Sequence, residues 1–170
     1  MNLIEEILKE HSKKQALKIV KWVSNDKKKF HLLMQLFLTN EYRVTQRSAY
    51  AISICADKNT ALIKPYLRKM LLKTKEPGIH DAVKRNVVRI LQFIDIPKNL
   101  QGLTATICFD LLASIDEPIA VKCFSMSVLS NLAQKEPDLK NELLLLIEEQ
   151  LPYAKAGFKS RAKKVIKQLQ

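Results

Sequence analysis

The sequence contains little glycine, little proline and few aromatic residues. Of its 170 residues only 3 are Gly and 6 are Pro, and aromatic side chains make up 6%. An all-β chain with many tight turns needs more turn-forming residues than this, so the composition argues against such a fold. Leu, Ile, Ala, Lys and Glu dominate instead, and this balance favours helix. The sequence therefore predicts an all-α protein.

Long apolar runs, a secretory leader and a disulfide framework are also missing. The longest apolar run, Leu143–Ile147, is far shorter than the roughly 20 residues of a membrane-spanning helix. The first residues, Met1–Leu8, are acidic and amphipathic, unlike a signal peptide. Three widely spaced cysteines in apolar surroundings, Cys55, Cys108 and Cys123, predict reduced thiols in the core. We therefore expect a soluble, cytoplasmic protein.

Signatures of an enzyme are absent from the sequence. His11, His31 and His80 are isolated, and no His or Cys residues have the spacing of metal ligands. There is no Gly-rich phosphate loop and no Gly-x-Ser-x-Gly motif. Adjacent carboxylates such as Glu5 and Glu6 point apart on a helix. We therefore expect a non-catalytic chain without a cofactor or a metal.

Positive charge is the strongest signal that the composition does carry. The formal net charge is +12 at pH 7, and the pI is about 9.7. Such an excess favours an anionic partner, which includes nucleic acid, a membrane surface and an acidic protein. The charge alone does not select among them.

Apolar residues recur at the helical period along the whole chain, with short polar breaks between the periodic segments. Ser12 is a predicted N-cap of the second helix, and Thr60 is a predicted cap of the fifth. A turn at Asn40 and Glu41 is predicted to lead into the fourth. The ten predicted helices cover about residues 2–10, 13–24, 27–39, 42–56, 61–73, 79–94, 98–114, 118–133, 138–151 and 155–169.

The segment Asp116–Ala133 recurs in altered form along the chain. It reads as an acidic turn, a proline at a helix start and a helix with one apolar stripe at Val121, Phe124, Val128, Leu129 and Leu132. Four of the even-numbered helices superpose at offsets of about 38 residues, and a weaker copy, Lys13–Val20, lies upstream. The four segments are Thr45–Ile52, Val83–Ile90, Val121–Val128 and Phe158–Val165. A period near 40 residues made of two helices indicates a helical repeat array.

These repeats resemble those of the HEAT-repeat (armadillo-like helical) family. The turn Asp116-Glu-Pro118 and the following Ala120-Val-Lys122 are similar to the family's turn motif and apolar–basic pair. The resemblance covers the whole chain as about five helical hairpins. It implies an α–α superhelix, or solenoid, that forms a single domain over residues 1–170. In the family the second helix of each hairpin lines the concave face, which here implies the even-numbered helices.

Basic residues share one position of the repeat, where stacking is expected to align them as a ladder. The aligned residues are Lys14, Gln46, Lys84, Lys122 and Lys159. One interpretation is a stripe that binds phosphate or carboxylate groups. The other is structural, because in HEAT repeats the equivalent basic residue pairs with the acid of a nearby turn, as Asp116 could with Lys122.

Further cations flank the ladder, and arginine among them is the better anion ligand because its planar fork holds phosphate or carboxylate. The last 16 residues carry six cations and no acid, which fits either a solvated capping face or an anion-binding helix. The candidate macromolecule-binding residues are Arg43, Arg47, Lys84, Arg85, Arg89, Lys122, Lys159, Arg161 and Lys163.

Two features near the N-terminus also have alternative interpretations. Lys27, Lys28 and Lys29 begin a predicted helix and oppose its dipole, which a bound anion would relieve. Trp22 is interpreted either as core or groove packing or as a base-stacking platform.

Three functions remain open from the sequence. The leading hypothesis is a non-catalytic scaffold whose concave face binds an acidic protein segment. The second is a nucleic-acid-binding module, which requires that Arg47, Arg85, Arg89 and Arg161 form one continuous positive surface. The third is a repair enzyme, since the chain is similar in fold pattern and charge to the alkylpurine DNA glycosylases built from HEAT-like repeats. No catalytic carboxylate or aromatic residue of that family is matched to a position here.

Overall fold

Helices make up most of the computed structural model, which describes residues 1–39 and 41–170. These residues contain ten α-helices and no β-strand, so the predicted all-α fold is confirmed. The predicted turn at Asn40 lies outside the described residues. The α-helices are α1 (Leu3–Lys9), α2 (Lys13–Val23), α3 (Lys27–Phe37), α4 (Tyr42–Lys58), α5 (Leu67–Lys73), α6 (Asp81–Leu91), α7 (Lys98–Ala113), α8 (Ile119–Ala133), α9 (Leu139–Gln150) and α10 (Ala156–Leu169).

The fifth helix is shorter than predicted. Two 3₁₀ turns, Thr60–Leu62 and Lys64–Tyr66, occupy the residues before α5. Pro65 lies in the second of them, and because it has no N–H it cannot donate the bond that would continue an α-helix there. The predicted cap at Thr60 is also wrong. α4 continues to Lys58, and the Asn59 side chain accepts the Ala61 N–H at 3.1 Å.

The first of two compact units is Met1–Ile90. In it α4 packs against α1, α2 and α3. The side chains of Phe30, Leu33 and Phe37 from α3 and Ile52 from α4 are at most 1% exposed, so they form the centre of this core. The core of this unit is thus formed by the apolar faces of α3 and α4.

The second compact unit is Leu91–Gln170, and α8 is at its centre. This helix packs against α7, α9 and α10. Four of the five stripe residues predicted for α8 are buried, and Phe124 is half-buried. Ser125 and Ser130 are buried as well, since neighbouring helices cover more than one face. One apolar stripe is therefore an incomplete description of α8. That residues 1–170 form a single domain stays a prediction.

Side-chain caps fix the starts of α2 and α3. The hydroxyl of Ser12 accepts the Gln15 N–H at 3.0 Å, which confirms the predicted cap. Asp26 caps α3 by accepting the N–H groups of Lys28 at 2.8 Å and Lys29 at 3.1 Å. These two hydrogen bonds, that of Lys29 first, lower the pKa of Asp26 from its usual value, and the charges of both lysines act in the same direction. The carboxylate thus supplies a negative charge at the helix start that three lysines crowd.

The three cysteines are free and buried, as the prediction of core thiols requires. Burial raises the pKa of Cys55 to about 11 and that of Cys108 to about 12. Burial also raises the pKa of Cys123. No helix among the described residues is long and apolar enough to span a membrane.

Truncation of Leu129 tests the packing of α8. Leu129 is fully buried, whereas Leu145 on α9 is 58% exposed. We expect Leu129→Ala to reduce the free energy of unfolding by about 2–5 kcal/mol, because it removes buried apolar atoms and leaves a cavity. Urea denaturation monitored by circular dichroism measures this change. Leu145→Ala is the matched control, and an equal loss in both variants would contradict the packing described for α8.

Replacement of Asp26 by Asn tests the cap of α3. Asn still accepts the two backbone hydrogen bonds but does not titrate. The folded pKa of Asp26 is lowered, so its charge contributes stability above the unfolded pKa of about 3.9, and this contribution is lost as the pH falls through the folded pKa. We expect the wild-type protein to have the higher melting temperature at neutral pH and the difference to disappear in acid. A difference that stays constant from pH 7 to pH 2 would refute this assignment.

Candidate functional site

Two arginines proposed as ligands in the first unit bind the chain itself. Arg47 donates from Nη1 to the carbonyl oxygens of Leu8 at 2.7 Å and Ile7 at 3.2 Å, in the last turns of α1. Arg89 donates from Nη1 to the Ser53 hydroxyl at 2.6 Å and from Nη2 to a carboxylate oxygen of Asp57 at 2.9 Å. Arg47 thus holds α1 to α4, and Arg89 holds α6 to α4.

Arg161 has the same role in the second unit. From α10 it donates through Nη1 to the Ser127 hydroxyl of α8 at 2.6 Å and to the Gln92 side-chain oxygen at 3.3 Å. The nucleic-acid hypothesis requires four arginines on one surface. Three of them, Arg47, Arg89 and Arg161, instead form hydrogen bonds with other groups of the chain. Arg85, the fourth, is exposed, and so is Arg43. Neither has a hydrogen bond or ion pair among the described residues.

The ladder positions are mostly engaged as well. In the first unit, the Gln46 side chain contacts His80 Nε2 at 3.1 Å, and Lys84 is half-buried with its Nζ 3.9 Å from Asp81. In the second unit, Lys122 donates to the Gln150 side-chain oxygen at 2.8 Å. These contacts favour the structural interpretation for these three positions. Lys14 and Lys159 are exposed.

The acid beside Lys122 is not the one suggested by the turn motif. Asp116 is exposed, and Glu117 is the acid whose charge acts on Lys122. Partial burial lowers the pKa of Lys122, and the negative charge of Glu117 opposes that shift. The suggested pairing of Asp116 with Lys122 is therefore wrong. Glu117 is nearer to the start of α8, and its half-buried side chain is the one that acts on Lys122.

A groove of about 610 Å³ lies in the second unit, and we call it the end groove. It is bounded by the loop before α8, the end of α9 and the start of α10. Ile115 is 92% exposed and Tyr153 is 91% exposed, and they line this groove with the nearly buried Phe158. Lys122, Lys155, Glu117 and Glu149 add charge of both signs to its wall. Sequence reasoning missed the groove, since it depends on how loops place their side chains.

A second groove of about 460 Å³ runs along α10, and we call it the flank groove. Its apolar residues are Leu151 and Ile166, and its basic residues are Lys159, Lys163 and Lys167. Lys155, which lines the end groove, is four residues before Lys159. Residues four apart lie on one face of a helix, so these four lysines form a row that we call the lysine stripe. All four are exposed, and none has a hydrogen bond or ion pair among the described residues.

A buried lysine in the first unit was not predicted. Lys73 is 2% exposed, donates to the Thr39 carbonyl oxygen at 2.8 Å and pairs with Glu76 at 2.6 Å. It lines a cavity of about 170 Å³ together with Thr45 and His80. The Glu three residues after Lys73 is a sequence signal for the ion pair but not for the burial. Because the ammonium group is already paired, the cavity presents no free cation to a ligand.

Trp22 and the three lysines that begin α3 have partners of their own. The Lys29 ammonium lies 5.4 Å from the centre of the half-buried Trp22 ring, within the range of a cation–π contact. This contact favours the packing interpretation of Trp22. Asp26 already places an anionic group at the start of α3. Among the described residues, no group of three or more His, Cys, Asp or Glu side chains is placed to hold a metal ion.

Comparison with known proteins gives one match. A family model described as a HEAT repeat domain matches residues 3–169, which is nearly the whole chain. Neither a curated protein nor a solved structure matches. The match agrees with the resemblance carried by the turn motif and the period of about 38 residues.

Replacement of Arg161 tests its structural role. We expect Arg161→Ala to reduce the free energy of unfolding by about 1 kcal/mol, because the Ser127 hydroxyl and the Gln92 side-chain oxygen both lose their charged donor. Lys163→Ala, two residues away on the exposed face of α10, should change it by less than about 0.5 kcal/mol. Urea denaturation of both variants measures the difference. Equal stabilities would mean that Arg161 does not hold α10 to α8.

Proposed function

The chain belongs to the HEAT-repeat family, and from that premise we propose that it is a non-catalytic scaffold that binds an acidic segment of another protein. Repeats of this kind bury one side of each hairpin against the next and leave an extended surface for a partner. The exposed cations of the even-numbered helices are the groups that would contact the partner.

One observation carries the choice of a protein partner. Lys155, at the start of α10, lines the end groove with the exposed Ile115 and Tyr153. Three exposed lysines of α10 line the flank groove with Leu151 and Ile166. Protein interfaces combine an apolar centre with a polar rim, and an acidic protein segment offers both carboxylates and apolar groups. A nucleic-acid backbone offers phosphates without comparable apolar side chains.

The arginines support the same choice. A surface that tracks phosphates relies on available Arg and Lys side chains, but Arg47, Arg89 and Arg161 bind carbonyl, hydroxyl, amide and carboxylate groups of the chain. Single-stranded nucleic acid also requires aromatic platforms, and Trp22 has Lys29 over its ring. Nucleic-acid binding is therefore the alternative that the experiment must address.

Binding of labelled probes across a salt series tests the proposal. The probes are a peptide that contains glutamate and leucine, a peptide of glutamate alone, duplex DNA and single-stranded RNA. We expect the glutamate–leucine peptide to bind most tightly and to keep part of its affinity at high salt, because apolar contacts are not screened. Fluorescence anisotropy measures each affinity.

Two outcomes would overturn the proposal. The first is an absence of peptide binding even at low salt. The second is tighter binding of DNA or RNA than of either peptide, with an affinity that falls log-linearly with salt as several phosphates are neutralised. That result would establish the nucleic-acid hypothesis instead.

A further inference from the structure

We infer that the partner segment docks on the second unit as an acidic amphipathic helix, with its carboxylates on the lysine stripe and its apolar side chains in the flank and end grooves. This inference rests on the proposed function and deepens it, because it specifies the place and the chemistry of the contact. Three features support it: the spacing of the lysines, their lack of partners among the described residues, and the apolar residues beside them.

The spacing of the lysine stripe matches a helical partner. Lys155, Lys159, Lys163 and Lys167 follow one another at intervals of four residues on α10 and at its start. With a rise of about 1.5 Å per residue, the Cα atoms of neighbouring lysines in the stripe lie about 6 Å apart along the helix axis. Carboxylates four residues apart on a second helix have the same spacing. Because such a row winds around its helix, a partner helix that crosses α10 along the row offers acids to neighbouring lysines of the stripe.

The charges of the lysine stripe are available to a partner, since no described group of the chain binds them. α10 carries no acid, and the four ammonium groups have no hydrogen bond or ion pair among the described residues. Arg161 of the same helix shows the contrast, since the Ser127 hydroxyl accepts its Nη1–H at 2.6 Å. A carboxylate at the lysine stripe would form a new ion pair without breaking an existing one.

Because apolar residues lie beside the lysine stripe, the partner needs apolar side chains in addition to its carboxylates. Leu151 and Ile166 lie in the flank groove, and Ile115, Tyr153 and Phe158 lie in the end groove. Exposed apolar surface rimmed by charge is typical of an interaction site. A partner that only supplied acids would leave Ile115 and Tyr153 in water.

The two grooves differ in charge, which orients the partner. The end groove is lined by two acids, Glu117 and Glu149, and by two lysines, Lys122 and Lys155, so its formal charges balance. The flank groove contains lysines but no acid. The geometry therefore places an apolar side chain of the partner in the end groove and its acids along the flank. A phosphate backbone, which carries charge at every residue, fits this division poorly.

Charge reversal on α10 tests the position of the site. The test variant carries Lys155→Glu, Lys159→Glu and Lys163→Glu. The first two place acids at the start of α10, where they are tolerated, and Lys163 is exposed in the middle of the helix. The control variant carries Lys13→Glu, Lys14→Glu and Lys21→Glu on α2, all exposed positions in the first unit. Both variants change the net charge equally, so a difference between them reports position. Circular dichroism and melting temperature establish that each variant is folded.

The probe is a labelled synthetic peptide with glutamate at every fourth position and leucines along the adjacent helix face. A scrambled peptide of the same composition is its control. We expect the α10 variant to bind the peptide at least about tenfold more weakly than the α2 variant. We also expect the wild-type chain to prefer the amphipathic order over the scrambled one.

Truncation of the exposed apolar residues tests the end groove. Ile115→Ala and Tyr153→Ala together should leave the melting temperature unchanged, because both side chains are more than nine-tenths exposed. We expect this double variant to lose affinity for the glutamate–leucine peptide, most clearly at high salt, and to bind the glutamate-only peptide as the wild type does.

The outcomes separate the inference from the proposed function. If the wild-type chain binds neither peptide, both fail. If it binds but the α10 and α2 variants lose affinity equally, the scaffold function stands and the docking site is refuted. If the scrambled peptide binds as tightly as the amphipathic one, the helical occupant is refuted. Duplex DNA that displaces the peptide at lower concentration than unlabelled peptide does would replace the protein partner with nucleic acid.

Discussion

Burial of α4 and of α8 among their neighbours is the constraint on which the two units depend. α4 packs against three helices of the first unit and α8 against three of the second. A hairpin alone leaves one apolar face in water, so its helices gain most of their stability from the next hairpin. Most side chains of α4 and α8 therefore pack against neighbouring helices, whereas most cations of α10 are exposed to solvent.

Three arginines connect helices within the two units, whereas the lysines of α10 are exposed. Arg47, Arg89 and Arg161 each bind two groups of the chain, a use that suits a planar group with several donors. Lysine carries a compact charge on a flexible stem, so it holds a partner group in a less fixed geometry. The same donor geometry that makes arginine a good phosphate ligand therefore makes it a good connector between stacked helices. Its presence on a repeat helix is not by itself evidence of a ligand.

The helical period was enough to predict the fold, because burial along a repeat helix recurs at the same spacing as the apolar residues. Val121, Val128, Leu129 and Leu132 are buried as their positions in the repeat require, and Ser12 caps α2 because its local chemistry determines the contact. The exception around Pro65 is local too, because a proline without an N–H cannot donate the bond that an α-helix requires there.

The candidate site depends on contacts between residues that are distant in sequence, which the period does not specify. The partners of Arg47 and Arg161 lie 40 and 34 residues away, and nothing in the local sequence names them. The crowding of cations in the last helix was visible in the sequence. Their grouping with Ile115 and Tyr153 required the fold, because three separate segments meet at the end groove.

The burial of all three thiols has a practical consequence for reactivity. A thiol reacts as its thiolate, and a raised pKa keeps the fraction of thiolate small near neutral pH. Cys55, Cys108 and Cys123 are buried and have raised pKa values, so they are poor nucleophiles in the folded chain. A cysteine introduced on the solvent face of α10 would be alkylated first. The native sequence therefore serves as its own low-background scaffold for site-specific dyes or spin labels.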